Sequence, residues 1–318
     1  MLKQRDPDSL ARITERIVHT KSGGPAPPDS VGPAIHLRID ALHILLILLS
    51  GALARIPFHK AYEAIWSGDS SGYADFYLCL TRHVFYLGER TPVYPLFLGL
   101  AQFIIAGSPQ PYFDWNVCHL VVMLQSALGV LSALLVFYVM RILQVRTSIA
   151  LGAALFLATA PGVCFFEMNI LNMALSFSLM AVTTALFFAT VKRIDASQSF
   201  AVPALCTAAA MSLAVLNRPD LLIFAILLVT TMVAAVVRCR FRGYTFFARG
   251  LRRATLFIAA PVAIAVLGWM MLMYVGIGQF RITTLDGWNR SRTVYNLFDR
   301  VAPADHAIGS IMTQTYSR

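Results

Sequence analysis

Long apolar stretches alternate with short polar ones through most of this chain. Seven stretches are long enough for a membrane-spanning helix, which needs about 20 apolar residues. They lie near 37–56, 116–140, 148–166, 171–191, 200–217, 219–237 and 254–277. An eighth run, 93–106, would reach only about 21 Å at 1.5 Å per residue, short of the ~30 Å hydrocarbon core. The pattern therefore predicts an all-α, polytopic transmembrane protein with about seven spans and one short re-entrant or interfacial segment.

Composition narrows the class further. Of 318 residues, 58% are hydrophobic and 13% charged, whereas soluble domains carry roughly 25% charged residues. The formal net charge is +10, but the basic residues lie between the apolar runs, and no basic face alternates with aromatic stacking residues. This argues for contact with anionic membrane lipids and against nucleic-acid binding. The five cysteines are scattered without metal-ligand spacing, so neither a disulfide framework nor a metal site is predicted.

Charge placement predicts the orientation of the chain in the membrane. The segment 238–253 carries six arginines and no acid, so it is expected in the cytosol. Counting spans outward from it, with 93–106 dipping in and returning, places the basic segment 1–36 in the cytosol and the loop 57–92 outside. We therefore expect a cytosolic tail at 1–36, a transmembrane domain at 37–277 and an extracytoplasmic segment at 278–318.

The first outer loop contains Gly68-Asp69-Ser70-Ser71-Gly72-Tyr73. Asp-Ser-Ser-Gly is good turn and helix-cap chemistry, which is one interpretation of Asp69. The other is a general base, because a carboxylate at the mouth of an apolar cavity can take a proton from an incoming hydroxyl. The stretch 73–86 is amphipathic and predicts a helix lying in the membrane interface.

Two arginines stand at the ends of apolar segments. Arg90 precedes Thr91-Pro92-Val93-Tyr94-Pro95, and Arg218 precedes Pro219. Each is either a snorkelling interfacial arginine or a phosphate ligand, since a guanidinium presents paired donors to phosphate oxygens. Asp220 could instead pair with Arg218.

The blocks Gly-Asp-Ser-x-Gly-Tyr and Arg-x-Pro-x-Tyr-Pro-Leu-Phe-Leu resemble the start of the polytopic GT-C glycosyltransferases. These include protein O-mannosyltransferases and the aminoarabinose transferases of lipid A. The resemblance covers roughly residues 40–300, with weaker blocks at Leu-Asn-Arg-Pro and at 283–289. It implies a multi-pass membrane enzyme, which we expect to invert the anomeric configuration by direct displacement and to lie in the plasma membrane of a prokaryote. Such an enzyme moves a sugar from a polyprenyl-phosphate donor to a glycan, lipid or protein acceptor at the extracytoplasmic face.

The resemblance also implies roles for particular residues. Asp69 would be the catalytic carboxylate, and Arg90 would bind the lipid phosphate with help from Arg218. Apart from the resemblance, we expect Tyr73 and Tyr94 at the donor site, where Tyr73, Tyr94 or Trp66 could stack on the sugar. No cofactor is firmly implied, and assistance by a divalent metal is left open.

Two departures from the family keep other functions open. Members often carry an acid where 161–175 returns from the membrane. Here Met173 occupies that position, leaving Glu167, Asn169 and Asn172 as acceptor-side polar groups. The chain is also short for the family, which implies a short member or a fragment. One alternative is a non-catalytic protein that binds or flips a lipid-linked sugar; another, a small-solute transporter, is disfavoured because charges are rare within the spans.

Overall fold

A computed structural model describes residues 33–66, 70, 72–73, 91–107, 114–278 and 280–282, without the side chains of 33–40 and 277. The chain divides into two compact units, Met1–His43 and Ile44–Arg318, and all packing discussed below lies in the second. In chain order the α-helices are α1 (Pro33–Ala61), α2 (Val93–Ala106), α3 (Trp115–Ile142), α4 (Thr147–Thr159), α5 (Pro161–Met168), α6 (Met173–Asp195), α7 (Ala201–Asn217), α8 (Leu222–Phe241) and α9 (Thr245–Ile277), with a 3₁₀ turn at Pro219–Leu221. The predicted interfacial helix at 73–86 lies outside the described residues except for Tyr73.

Apolar helices long enough to cross a membrane confirm the all-helical, membrane-embedded prediction. Among the residues that the structure describes, five segments qualify on length and composition, and the pair α4 and α5 would make a sixth if it is one bent span. The five are Ala41–Ala61, Trp115–Ile142, Met173–Asp195, Pro219–Phe241 and Thr245–Gly276. The predicted span 200–217 is the helix α7, which has 17 residues and reaches only about 26 Å. The count of seven spans therefore stays a prediction.

A proline breaks the stretch 148–166, which sequence hydropathy had joined into one span. Helix α4 ends at Thr159 and α5 begins at Pro161, with a 41° bend between them. Ala160 has φ −59° and ψ 120°, the extended conformation that a following proline imposes. Because Pro161 has no N–H, it cannot continue the hydrogen bonds of α4. The short helix α5 therefore turns away and presents its polar end residues to α3.

Small side chains bring the helices close together. On α7 the small residues Ala204 and Ala208 are buried four positions apart, and the larger Met211 and Val215 continue the same buried face. They pack with residues of α9 such as Ala254 in one hydrophobic cluster. Small residues allow close helix approach where lipid gives no hydrophobic driving force between helices. Large apolar side chains point outward instead, most clearly on α8, as expected of a lipid-facing surface.

The segments predicted on the cytosolic side and the segments predicted outside pack in two separate regions of the structure. The end of α6 and the start of α9 meet through Ile194 and Leu251, which share a cluster. Both belong to predicted cytosolic loops. The segments predicted outside meet in a polar junction formed by the other helix ends, and this junction is the candidate site.

Candidate functional site

A short pairing of extended backbone joins the end of α1 to the segment after α5. The amide of Ile65 donates to the Met168 carbonyl at 2.9 Å, and the amide of Ile170 donates to the Ile65 carbonyl at 3.0 Å. These bonds form a parallel bridge between Ile65 and Asn169. They fix the first outer loop against the segment 168–172 and satisfy backbone groups that lipid could not.

Ser70 and Thr91, which follow the predicted site residues Asp69 and Arg90 in the sequence, are hydrogen-bonded to this region. The Ser70 hydroxyl donates to the Ile170 carbonyl at 2.8 Å, and the Thr91 hydroxyl donates to the Asn217 carbonyl at 3.1 Å. Asp69 directly precedes Ser70 and Arg90 directly precedes Thr91 in the sequence. Asp69 and Arg90 themselves lie outside the described residues.

Asn172 and Asn217 lock the start of α6 to the end of α7. The Asn172 amide donates to the Asn217 carbonyl at 3.0 Å, and the Asn217 amide donates back to the Asn172 carbonyl at 3.1 Å. The Asn217 amide also donates to Ser176 Oγ at 2.7 Å. Asn217 is fully buried and Asn172 is half-buried, so this reciprocal pair is partly shielded from competing water. We call the set Ser70, Thr91, Ile170, Asn172 and Asn217 the polar junction.

A second set of buried hydrogen bonds, centred on Gln125, lies next to the polar junction. Gln125 on α3 accepts a hydrogen bond from the Tyr94 hydroxyl at 2.8 Å. Its amide donates to the Glu167 carbonyl at 2.7 Å and the Asn169 carbonyl at 2.8 Å. Gln125 thereby replaces backbone partners that the end of α5 lacks, and it joins α2, α3 and α5.

An ion pair is buried next to these hydrogen bonds. Arg55 on α1 binds Glu167 on α5 in a bidentate manner, with Nε to Oε2 at 2.7 Å and Nη2 to Oε1 at 2.6 Å. Arg55 Nη1 donates to the carbonyls of Gly51 at 2.8 Å and Ala158 at 2.7 Å. The two side chains are only 4% and 2% exposed, so the pair depends on this geometry to offset its desolvation.

The ion pair requires a glycine on the facing helix. A Cβ at position 129 of α3 would overlap Glu167 Oε1 and would lie 2.7 Å from Arg55 Nη2. Real Cβ contacts are essentially never that short. Gly129 is therefore the residue that lets α3 approach the pair.

A cavity of about 270 Å³ opens beside Glu167, with largely apolar walls. Its lining includes Gly129, Phe166, Met173, Met180 and Arg218. Arg218 ends α7 in an extended conformation and pairs with Asp220 through Nε at 3.0 Å, which is the alternative to the two interpretations of an unpaired arginine. Because the side chains of Arg218 and Asp220 are 34% and 56% exposed, the pair is open to exchange with an incoming anion.

The predicted site residues divide into those at the cavity and those in the packing. Arg218 and Glu167 line the cavity, but the Glu167 carboxylate is already held by Arg55. Tyr73 and Tyr94 are buried, with ring centroids 4.9 Å apart. Both rings have a packing role here, and their contact with sugar stays a prediction.

The acceptor-side asparagines also have structural partners. The Asn169 amide donates to the Phe165 carbonyl at 2.9 Å, and Asn172 belongs to the polar junction. Met173, at the position where an acid was expected, is 37% exposed and lines the cavity. Among the described residues, no group of three or more His, Cys, Asp or Glu side chains could hold a metal.

Sequence reasoning missed Arg55, Gln125 and Gly129. A signal for the first two was available, because a charged or amide side chain within an apolar span is expensive and needs a partner. Arg55 lies at the end of the first predicted span and Gln125 lies inside the second. Nothing in the sequence distinguishes Gly129 from other helical glycines.

Comparison with known proteins adds no family assignment. No protein-family model matches the chain, and no curated protein is significantly similar to it.

Proposed function

We propose that this protein is a membrane glycosyltransferase that uses a polyprenyl-phosphate-linked sugar. The observation that carries the proposal is the polar junction. The direct sequence neighbours of Asp69 and Arg90 are both anchored there, and Arg218 directly follows Asn217. The proposal thus rests on three separate segments, predicted from sequence to carry the chemistry, that converge through named hydrogen bonds.

The donor would use both the cavity and the arginines. An isoprenoid chain suits the apolar walls between α3, α5 and α6, and its phosphate suits Arg218 at the edge. Arg90 would supply the second guanidinium. Two guanidiniums on one phosphate stabilise the charge of the departing polyprenyl phosphate, so that it leaves without being protonated.

The reaction would be a single displacement at the anomeric carbon. Asp69 takes the proton from the acceptor hydroxyl or amine as that group attacks the sugar. The new bond forms as the bond from the sugar to the phosphate oxygen breaks, and the electron pair stays on the polyprenyl phosphate. Attack opposite the leaving group inverts the anomeric configuration. We place this site at the extracytoplasmic face, in line with the predicted topology.

Retention of lipid by purified protein tests the donor class. We expect mass spectrometry to find a polyprenyl phosphate or its sugar conjugate with the wild type, and at least about tenfold less after Arg90→Ala or Arg218→Ala, because each removes a charge-assisted hydrogen bond. Arg193→Ala is the matched control, since Arg193 lies at the end of α6, among the predicted cytosolic loops. Bulk phospholipid alone in every sample would contradict the proposed donor class.

One observation favours a second candidate, a protein that binds or flips a lipid-linked sugar without transferring it. Among the described residues that line the cavity, the only carboxylate is Glu167, which Arg55 already holds. Met173 occupies the position expected for an acceptor-side acid. In this alternative the arginines matter for lipid retention, but Asp69→Asn does not change the state of the bound lipid.

A further inference from the structure

A second cavity, distant in sequence from the polar junction, lies between the end of α8 and the start of α9. It measures about 270 Å³ and is lined by Val236, Arg240, Thr245, Ala248, Arg249 and Arg252. We call it the arginine cavity. The proposed glycosyl transfer makes no use of it.

Helix geometry explains why these side chains face one space. Val236 and Arg240 are four residues apart on α8. One face of α9 carries four of the lining residues at intervals of three and four positions: Thr245, then Ala248 and Arg249, then Arg252. The turn between the helices contains Gly243 at φ +78°, a left-handed conformation that favours glycine. This tight turn brings the two arginine-bearing faces together.

In the part of the chain that the structure describes, no acidic side chain lines the arginine cavity. Among the described residues, Arg240, Arg249 and Arg252 have no ion pair or hydrogen bond through their side chains, and 236–253 contains no acid. The first turn of α9 likewise carries no acidic residue, although helix dipoles favour negative charge at this end. Arg240, Arg249 and Arg252 are solvent-exposed, so water and salt screen part of the repulsion between their guanidiniums, and a bound anion would relieve the rest.

The surroundings indicate where the anion comes from. Phe241 is 88% exposed and Phe246 is 66% exposed, on either side of the turn between two candidate spans. Arginines at the cytosolic ends of spans are typical of the membrane–water interface, and exposed phenylalanines beside them can bury their rings at the boundary between headgroups and acyl chains. Anionic lipid headgroups are concentrated there, and on the cytoplasmic leaflet they attract basic segments such as this one.

We propose that the arginine cavity binds a phosphate group, supplied by the headgroup of an anionic phospholipid. Arginine suits this role because its planar fork gives paired hydrogen bonds to phosphate oxygens. The cavity has room for a phosphate and part of a headgroup, while Val236 and Ala248 give it an apolar side. Binding there would hold the α8–α9 turn at the membrane surface.

The test compares two charge-matched double variants. Arg240→Gln/Arg252→Gln removes two arginines of the cavity, and Arg238→Gln/Arg253→Gln removes two that do not line it. Full-length protein in a neutral detergent is titrated with phosphatidylglycerol or phosphatidylcholine, and bound lipid is counted by native mass spectrometry. We expect the cavity variant to bind phosphatidylglycerol at least about tenfold more weakly than the control variant, because losing one charge-assisted hydrogen bond has about that effect and the variant loses two arginines. Phosphatidylcholine binding should be equal in both.

A second arm distinguishes a lipid from a soluble phosphate compound. Thermal unfolding is followed without lipid, in sodium phosphate and in sodium chloride of equal ionic strength. If phosphate stabilises the control variant but not the cavity variant, while lipid binding is equal, the site is a phosphate site for a soluble ligand. If the two double variants behave alike in both arms, only the net charge matters and the proposal is overturned.

Discussion

The substitution Gly129→Ala tests the buried ion pair through a residue that carries no charge. A methyl group at position 129 would overlap Glu167 Oε1 and press on Arg55 Nη2 at 2.7 Å. Either α3 moves away or the carboxylate leaves one guanidinium nitrogen. Overpacking of a tight site costs about 1–3 kcal/mol, and a disrupted buried pair costs up to about 3–5 kcal/mol.

A favourable effect opposes this cost. Alanine in a helix is more stable than glycine by about 1 kcal/mol. We therefore expect a net loss in the free energy of unfolding of roughly 0–2 kcal/mol from overpacking alone, and of about 2–4 kcal/mol if the ion pair is broken. Gly152→Ala on α4 is the matched control, because a Cβ there meets nothing within 4 Å, and it should leave the stability unchanged or slightly higher.

The assay is thermal unfolding of the purified protein in detergent, extended to a double-mutant cycle. Glu167→Ala removes the oxygen that the new methyl group would overlap. Gly129→Ala should therefore cost much less in the Glu167→Ala background than in the wild type. Equal melting temperatures for Gly129→Ala and Gly152→Ala would refute the close approach of α3 to the pair.

Two further predictions concern the polar contacts that hold the site. Arg55→Leu should lower the free energy of unfolding by about 3–5 kcal/mol, because it leaves a buried carboxylate unpaired. The double variant Arg55→Leu/Glu167→Leu should recover most of that loss, since no buried charge is left without a partner. The melting temperatures of the single and double variants test this expectation. Asn217→Ala removes two interhelical hydrogen bonds and should cost about 1 kcal/mol at typical membrane values, while Asn116→Ala, whose hydrogen bond to Asp114 is exposed, should have almost no effect in the same assay.

Local hydrophobicity predicted the helices well, but it predicted only some of their limits. The run 93–106 is the helix Val93–Ala106 to the residue. The span predicted at 254–277 begins at Thr245 instead, because the basic residues 249–253 stop an apolar window without stopping a helix. Proline chemistry could have predicted the break before Pro161. The apolar residues on both sides of it instead led to the prediction of one continuous span.

The contacts that build the site could not be predicted in the same way. Arg55 and Glu167 are 112 positions apart in sequence, and their pairing depends on which faces of α1 and α5 turn inward. Apolar periodicity is weak in helices that face lipid on one side and protein on the other, so it does not specify those faces. The motif around Asp69 and Arg90 predicted chemistry, whereas the hydrogen bonds of Ser70 and Thr91 that join those segments depend on the tertiary fold.

The most direct test of the proposed function is the state of the lipid bound to Asp69→Asn protein. The variant is purified beside the wild type and Asp75→Asn, a matched carboxylate change in the same loop, and the ratio of sugar conjugate to free polyprenyl phosphate is measured by mass spectrometry. If Asp69 is the general base, Asp69→Asn protein should retain the sugar conjugate, while the wild type and Asp75→Asn should carry mainly the free polyprenyl phosphate left after transfer. The same ratio in all three proteins would contradict glycosyl transfer by Asp69 and favour the protein that binds or flips the lipid-linked sugar.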